Sequence, residues 1–143
     1  MFKTLSSSIG ILSLFIFVLT FSFIGSTDVA HADTIVVEMR GGPGDGDFRF
    51  SPADVRIRVG DTIQWINMSP SGVIHTATYG MGSGDPMNAF WFDTGFLSSG
   101  QSFSVQFDTM GTFNYYCIPH EFFGMTGVIR VGATHREATP NTF

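Results

Sequence analysis

The single cysteine of the chain stands between two predicted strands, beside other residues that bind metals. Cys117 ends an alternating segment at 112–117, and a further apolar strand is predicted at 127–131. His120 and Met125 lie in the short loop that follows the cysteine. The spacing Cys-x2-His-x4-Met therefore brings a thiol, an imidazole and a thioether into one loop, which constrains the fold around it.

These side chains have the chemistry of a copper site. A thiolate, imidazoles and a weak axial thioether form the ligand set of a blue-copper electron-transfer centre. Such a centre needs a second imidazole, and the chain offers few. His31 falls in a predicted leader and His135 in a polar tail, so elimination leaves His75. Each residue alone is more often structural, but their joint spacing favours metal ligation. The predicted ligands are His75, Cys117, His120 and Met125.

Alternation predicts which way the cysteine points. Phe113, Tyr115 and Cys117 share one face of their strand, and Asn114 and Tyr116 share the other. If Phe113 faces the core, the cysteine sulfur lies at the end of the core, shielded from water. By the same pattern, we expect Tyr116 to lie nearer the surface.

The rest of the chain indicates short strands separated by glycine-rich turns. Residues 103–107 show the clearest alternation of apolar and polar side chains, and residues 80–89 are predicted to form a loop. Short strands without a long helical period are typical of an all-β sandwich or barrel. The strands are predicted at 35–39, 48–50, 55–59, 62–67, 102–107, 112–117 and 127–131.

The amino terminus has the pattern of a secretory signal peptide. Lys3 precedes an apolar run at 9–24, and Ala30-His31-Ala32 matches an A-x-A cleavage site. The alternative is an uncleaved anchor, but the apolar run is shorter than the roughly 20 residues of a spanning helix. We expect an exported protein, in the periplasm or on the outer face of the cell membrane, with no membrane span after cleavage. The predicted segments are a signal peptide at 1–32, one domain at 33–131 and a polar tail at 132–143.

Composition excludes several classes of function. The net charge is −5, whereas nucleic-acid binding proteins need a basic surface. One cysteine cannot form a disulfide within the chain, so it is a free thiol, an intermolecular bridge or a metal ligand. Metal ligation explains how a thiol would survive in an oxidising compartment. The sequence has no phosphate-binding loop and no nucleophile elbow, and too few histidines for a second copper centre. We therefore expect that the protein is not an enzyme.

The copper loop resembles that of plastocyanin and pseudoazurin, members of the cupredoxin family. The resemblance covers about residues 34–131 and includes Gly127 and the scaffold segment 92–97. It implies a Greek-key β-sandwich with one type 1 copper ion, which carries single electrons between redox protein partners as Cu(I) and Cu(II). We expect a monomer. In this family the edge of the second histidine lies in an apolar patch, and here Phe122 and Phe123 are candidates for that partner surface. Tyr116 is a second candidate, ranked lower because no acidic run flanks it.

Two alternatives and one departure remain open from the sequence. A copper-binding chaperone or storage protein would use similar ligands, and a metal-free β-sandwich interaction module would use none. Many plastocyanins carry asparagine after the first histidine ligand, where it ties the two ligand loops together, but this chain carries Thr76. The sequence does not say whether threonine makes that hydrogen bond.

Overall fold

The computed structural model describes residues 32–44 and 46–133. Residues 1–31 of the predicted signal peptide and 134–143 of the predicted tail lie outside this range. The described residues form eight strands and one short 3₁₀ helix. These are β1 (Thr34–Arg40), β2 (Arg49–Ser51), β3 (Asp54–Arg58), β4 (Thr62–Asn67), β5 (Thr78–Tyr79), β6 (Ser102–Gln106), β7 (Gly111–Tyr116), the helix (Ile118–Phe123) and β8 (Thr126–Gly132).

The strands form two four-stranded sheets, with the orders β2-β1-β4-β6 and β3-β8-β7-β5. Each sheet contains one parallel pair, β1 with β4 and β3 with β8. The strand that ends at the cysteine, β7, pairs antiparallel with β8, so Tyr116 lies opposite Thr126. The predicted all-β sandwich is confirmed, and the two ends of the copper loop lie side by side because their strands are hydrogen-bonded neighbours.

Side chains from both sheets form one hydrophobic core. Ile63 and Trp65 on β4 are fully buried, as their alternation predicts, and the Trp65 ring centroid lies 5.0 Å from that of Phe92 and 5.6 Å from that of Tyr115. The alternating segment at 103–107 forms β6 as far as Gln106, but Phe103 is exposed. This difference arises because β6 is the edge strand of its sheet.

The structure differs from the sequence prediction in the copper loop and in the strand β5. The short strand β5 was not predicted, since two residues are too few to show alternation. The segment after Cys117 forms a 3₁₀ helix where a loop was expected, with Pro119 in its first turn. The helix ends at Phe123 and is capped by Gly124, whose φ of 74° is left-handed and suits glycine. Within the described ranges, no helix is long and apolar enough to span a membrane.

Candidate metal centre

Three of the predicted ligands converge at one end of the sandwich. The Cys117 Sγ atom lies 3.6 Å from His75 Nδ1 and 3.4 Å from His120 Nδ1, and the two Nδ1 atoms are 3.1 Å apart. Among residues 32–44 and 46–133, these three form the one cluster of three or more His, Cys, Asp or Glu side chains with metal-ligand spacing. Residues from separate segments of the chain thus present one sulfur and two nitrogens to a common point.

Cys117 is held at the end of β7 by the loop that follows it. Its backbone N–H donates to the Met125 carbonyl at 3.0 Å, and its own carbonyl accepts from the His120 N–H at 3.1 Å. The side chain is fully buried, as the alternation predicts. Burial raises the pKa of the Cys117 thiol to about 11, despite hydrogen bonds from Thr76 and His120. Without a metal the group is therefore a neutral thiol, and a bound cation would displace its proton.

His75 reaches the cluster from the segment that follows β4. Its backbone exchanges two hydrogen bonds with Leu97, and its ring is fully buried. Burial, reinforced by the charge that His120 can carry, lowers the pKa of His75 to about 4, so the imidazole is neutral at pH 7. Ser69 Oγ lies 2.8 Å from Nε2 and 3.3 Å from the Met39 carbonyl. The hydroxyl can donate to that carbonyl and accept from Nε2–H, which leaves the Nδ1 lone pair facing the cluster.

His120 lies in the 3₁₀ helix and is half-buried. The Phe48 ring stacks on it, with ring centroids 3.8 Å apart and an interplanar angle of 11°. Burial lowers the pKa of His120. The stacking partner was missed by sequence reasoning, because nothing in the local pattern around Phe48 relates it to a loop so distant in the chain.

Met125 follows the Gly124 cap of the helix, and its backbone is hydrogen-bonded to both Cys117 and His120. Its carbonyl accepts from the Cys117 N–H, and its N–H donates to the His120 carbonyl at 3.3 Å. Its side chain is fully buried. This placement is compatible with the predicted axial thioether.

Thr76 ties the two ligand loops together, which answers the question left by the absent asparagine. Its backbone N–H donates to Cys117 Sγ at 3.3 Å, and its hydroxyl oxygen accepts from the Ile118 N–H at 2.9 Å. The threonine therefore holds both the side chain of Cys117 and the peptide N–H that follows it. Two further positioning residues, Ser69 and Asn67, were missed. Asn67 donates to the Leu97 and Val73 carbonyls, at 2.8 and 2.9 Å, beside the His75 loop.

The surface around the centre is apolar on the side of His120. Phe122 is completely exposed and Phe123 is 65 % exposed, so both candidates for the partner surface are accessible. The prediction that Tyr116 lies near the surface is wrong, because its side chain is 1 % exposed. The loop at 80–89 covers it, and the Tyr116 hydroxyl donates to Asn88 Oδ1 at 3.0 Å. The same loop is fastened to the helix by the Ser83 N–H, which donates to Glu121 Oε1 at 3.0 Å.

The donor set fits copper. Two imidazole nitrogens that face each other at 3.1 Å repel unless a proton or a cation lies between them. One sulfur and two imidazole nitrogens suit both oxidation states of copper. A structural zinc site usually has more cysteines, and the chain has one.

Comparison with known proteins agrees with this chemistry. The model of the copper-binding proteins of the plastocyanin/azurin family matches residues 37–132. The chain belongs to that family. It is a blue copper protein of the cupredoxin type, and its cofactor is one copper ion.

Relatives of this cupredoxin include plastocyanins and a pseudoazurin. It is 34 % identical over 98 residues to plastocyanin of Scenedesmus fuscus, which covers 66 % of the chain and 98 % of the relative. It is also 34 % identical over 110 residues to pseudoazurin of Methylorubrum extorquens, with 76 % and 69 % covered. Against the chloroplastic plastocyanin of Tetradesmus obliquus the identity is 32 %, and the chain spans 63 % of that relative's length.

Solved structures support the fold of this cupredoxin. A purple cupredoxin from Nitrosopumilus maritimus superposes with a TM-score of 0.54 at 24 % identity, over 71 % of this chain and all of the other. Oxidised plastocyanin from Dryopteris crassirhizoma gives a TM-score of 0.53 at 22 % identity, over 68 % of this chain and all of the other. The predicted cupredoxin-like sandwich is thereby confirmed.

Proposed function

We propose that the protein is an exported carrier that passes one electron at a time between redox partners. The observation that carries this proposal is the convergence of Cys117 Sγ and the Nδ1 atoms of His75 and His120 within 4.8 Å, at an end of the molecule where His120 is only half-buried. In this proposal these residues would hold the copper, and the Met125 thioether would supply a further, weak ligand. When bound, the metal supplies the one-electron Cu(I)/Cu(II) couple.

The surrounding hydrogen bonds support a carrier over a transient copper-binding protein. Ser69 holds the His75 ring, Thr76 holds Cys117, and the backbone of Met125 is bonded to both Cys117 and His120. Ligands fixed in this way need little rearrangement when the metal changes its oxidation state. A chaperone must release its metal, which a buried cysteine and a buried histidine disfavour.

The electron's route is proposed to run through His120. His120 is half-buried, the Phe123 ring centroid lies 6.3 Å from that of His120, and the exposed Phe122 lies on the same helix. Exposed aromatic groups at such a point suit brief docking of a redox partner, whose interface is typically below about 1,200 Å². Tyr116 is a second route, ranked lower because the loop at 80–89 covers it.

Export is proposed from the signal-peptide pattern at 1–32, with the mature protein a monomer in the periplasm or on the outer face of the cell membrane. The proposed partners are redox proteins. The net charge of −5 disfavours nucleic acid as a partner.

Copper loading tests the proposal directly. We expect the oxidised full chain to bind one copper ion and show strong visible thiolate-to-copper absorption, because a cysteine sulfur donates directly to the metal. Cys117→Ser should abolish the colour, since an alcohol is a poor soft ligand. A Cys117→Ser variant that stayed blue would overturn the assignment. Rapid loss of copper to a mild chelator, with no reversible one-electron couple, would favour the chaperone alternative.

A further inference from the structure

A line of hydrogen bonds leads from the copper loop to a carboxylate outside the metal centre. It starts at the Ile118 N–H, which follows Cys117 and donates to Thr76 Oγ1 at 2.9 Å. Thr76 Oγ1 lies 3.1 Å from Thr78 Oγ1, and Thr78 Oγ1 lies 3.0 Å from Asp93 Oδ1. The Gly95 N–H also donates to Asp93 Oδ1, at 3.0 Å.

The chemistry of these groups fixes the direction of the line. Each hydroxyl has one proton to donate, and a carboxylate oxygen only accepts. The Thr78 proton must therefore go to Asp93, which leaves the Thr78 oxygen to accept the Thr76 proton. The Thr76 oxygen then keeps a lone pair for the Ile118 N–H. The carboxylate orders both hydroxyls, so Thr76 presents an acceptor to the copper loop.

Burial makes this order costly to lose. Thr76 and Thr78 are each 1 % exposed, so water does not replace a missing partner. If the Thr78 hydroxyl were absent, the Thr76 proton would have no acceptor in the line. The Thr76 hydroxyl would then turn toward another acceptor, which weakens the hydrogen bond from the Ile118 N–H to Thr76 Oγ1. The hydrogen bond from the Thr76 N–H to Cys117 Sγ would be weakened with it.

We propose that Asp93 and Thr78 are positioning residues for the copper centre, which act through Thr76 to fix the Cys117–Ile118 peptide and thereby help set the reduction potential. The inference rests on the proposed redox function. Hydrogen bonds to the cysteine sulfur tune the potential of such a centre. They withdraw electron density from the sulfur and favour the reduced ion, so a weaker hold by Thr76 lowers the potential.

The test compares Thr78→Val with Thr78→Ser in the copper-loaded full chain. Valine keeps the shape of threonine but removes the hydroxyl, whereas serine keeps the hydroxyl. We expect Thr78→Val to lower the reduction potential and Thr78→Ser to stay near the wild type. In the reduced protein, exchange of the Ile118 amide hydrogen, followed by NMR, should become about tenfold faster in Thr78→Val, which is the loss of one net hydrogen bond.

Asp93→Ala gives a second test at an exposed position, where a folded variant is expected. Because removal of a charge shifts the potential by itself, Ile118 exchange is the readout for this variant, with Asp108→Ala as an exposed control. Faster exchange in Asp93→Ala alone supports the line. Unchanged Ile118 exchange and potential in Thr78→Val would overturn the inference while leaving a blue wild-type protein intact. The same exchange measured in the metal-free chain does not depend on copper, so it separates a failure of this inference from a failure of the redox function.

Discussion

The backbone of Met125 is hydrogen-bonded to two of the predicted metal ligands. Its carbonyl is bonded to Cys117 and its N–H to His120, while its side chain is buried. The chain has seven methionines, and several others are exposed. The position of Met125 within the loop, and not its residue type, makes it the candidate axial ligand.

Substitution of Met125 should change the potential more than the copper affinity. A weak axial ligand tunes the redox couple without holding the ion. We expect Met125→Leu to retain copper and raise the potential, because loss of the thioether donor disfavours the oxidised ion. Met125→Gln should lower it, because an amide oxygen favours the oxidised ion. Cyclic voltammetry measures both, with the exposed Met110→Leu as control. Equal potentials in all four proteins would mean that Met125 is not axial.

The residues of the centre were predictable from the sequence to very different degrees. Cys117 was placed by strand alternation, which depends only on neighbouring residues, and His75 by elimination among four histidines. Phe48 and Ser69 were missed, because a ring stack and a side-chain hydrogen bond depend on tertiary approach that no local spacing encodes.

At the scale of the elements, β7 and β8 show how a glycine makes room for an aromatic ring. Tyr115 on β7 lies opposite Gly127 on β8. A Cβ atom at Gly127 would lie 2.3 Å from Tyr115 Cζ, so the ring occupies the space that a side chain would need. The pairing holds the two strands together immediately beside the copper loop.

Gly127→Ala should therefore destabilise the protein. The added methyl group must displace a buried ring, and overpacking of this kind costs about 1–3 kcal/mol. The matched control is Gly132→Ala on the same strand, where the nearest atom would be the Ile57 carbonyl oxygen at 3.9 Å. Urea denaturation of both variants gives the comparison. Equal losses of stability would contradict a specific role for the Tyr115 ring.

The element scale also explains why Tyr116 was misplaced. Alternation correctly assigns it to the face of β7 opposite Cys117, but that face is covered by the loop at 80–89. Periodicity within a strand encodes which residues share a face. It does not encode which distant segment packs on that face, so the strands were predictable while the loop's cover was not.

At the scale of the molecule, Asp61 links the residue that precedes β1 in one sheet to the end of β3 in the other. Its carboxylate accepts from the Asp33 N–H at 2.9 Å and from the Arg58 N–H at 2.8 Å. Burial alone would raise the pKa of Asp61, but these two backbone hydrogen bonds and the Arg58 charge outweigh it and lower the pKa below 3.8.

Acid should remove the stability that this carboxylate contributes. Because the pKa is lowered in the folded state, the contribution is complete above the unfolded pKa near 3.8 and is lost as the pH falls through the folded value. At pH 7, Asp61→Asn should lower the free energy of unfolding by about 1–3 kcal/mol. The difference from wild type should shrink below pH 4 in urea titrations. A difference that stays constant with pH, or that Asp108→Asn reproduces, would contradict this role.

The apolar surface near His120 should control electron transfer between two copies of the protein. Electron self-exchange, measured by NMR line broadening in mixtures of oxidised and reduced protein, needs no identified partner. Loss of Phe122 and Phe123 removes contact area at the point of transfer, so the double alanine variant should exchange about tenfold more slowly. Phe90→Ala, which also removes an exposed phenylalanine, should have the wild-type rate. A normal rate in the double variant together with a slow Tyr116→Leu would make Tyr116 the main route.

The loop that covers Tyr116 has a consequence for the order in which redox partners bind. Because the loop at 80–89 covers that side, the proposed function makes His120 the main point of electron entry and exit. A donor and an acceptor must then take turns there, and each blocks the other while it is docked. Turnover then requires the donor and the acceptor to bind alternately. An excess of oxidised donor or of reduced acceptor should therefore inhibit turnover.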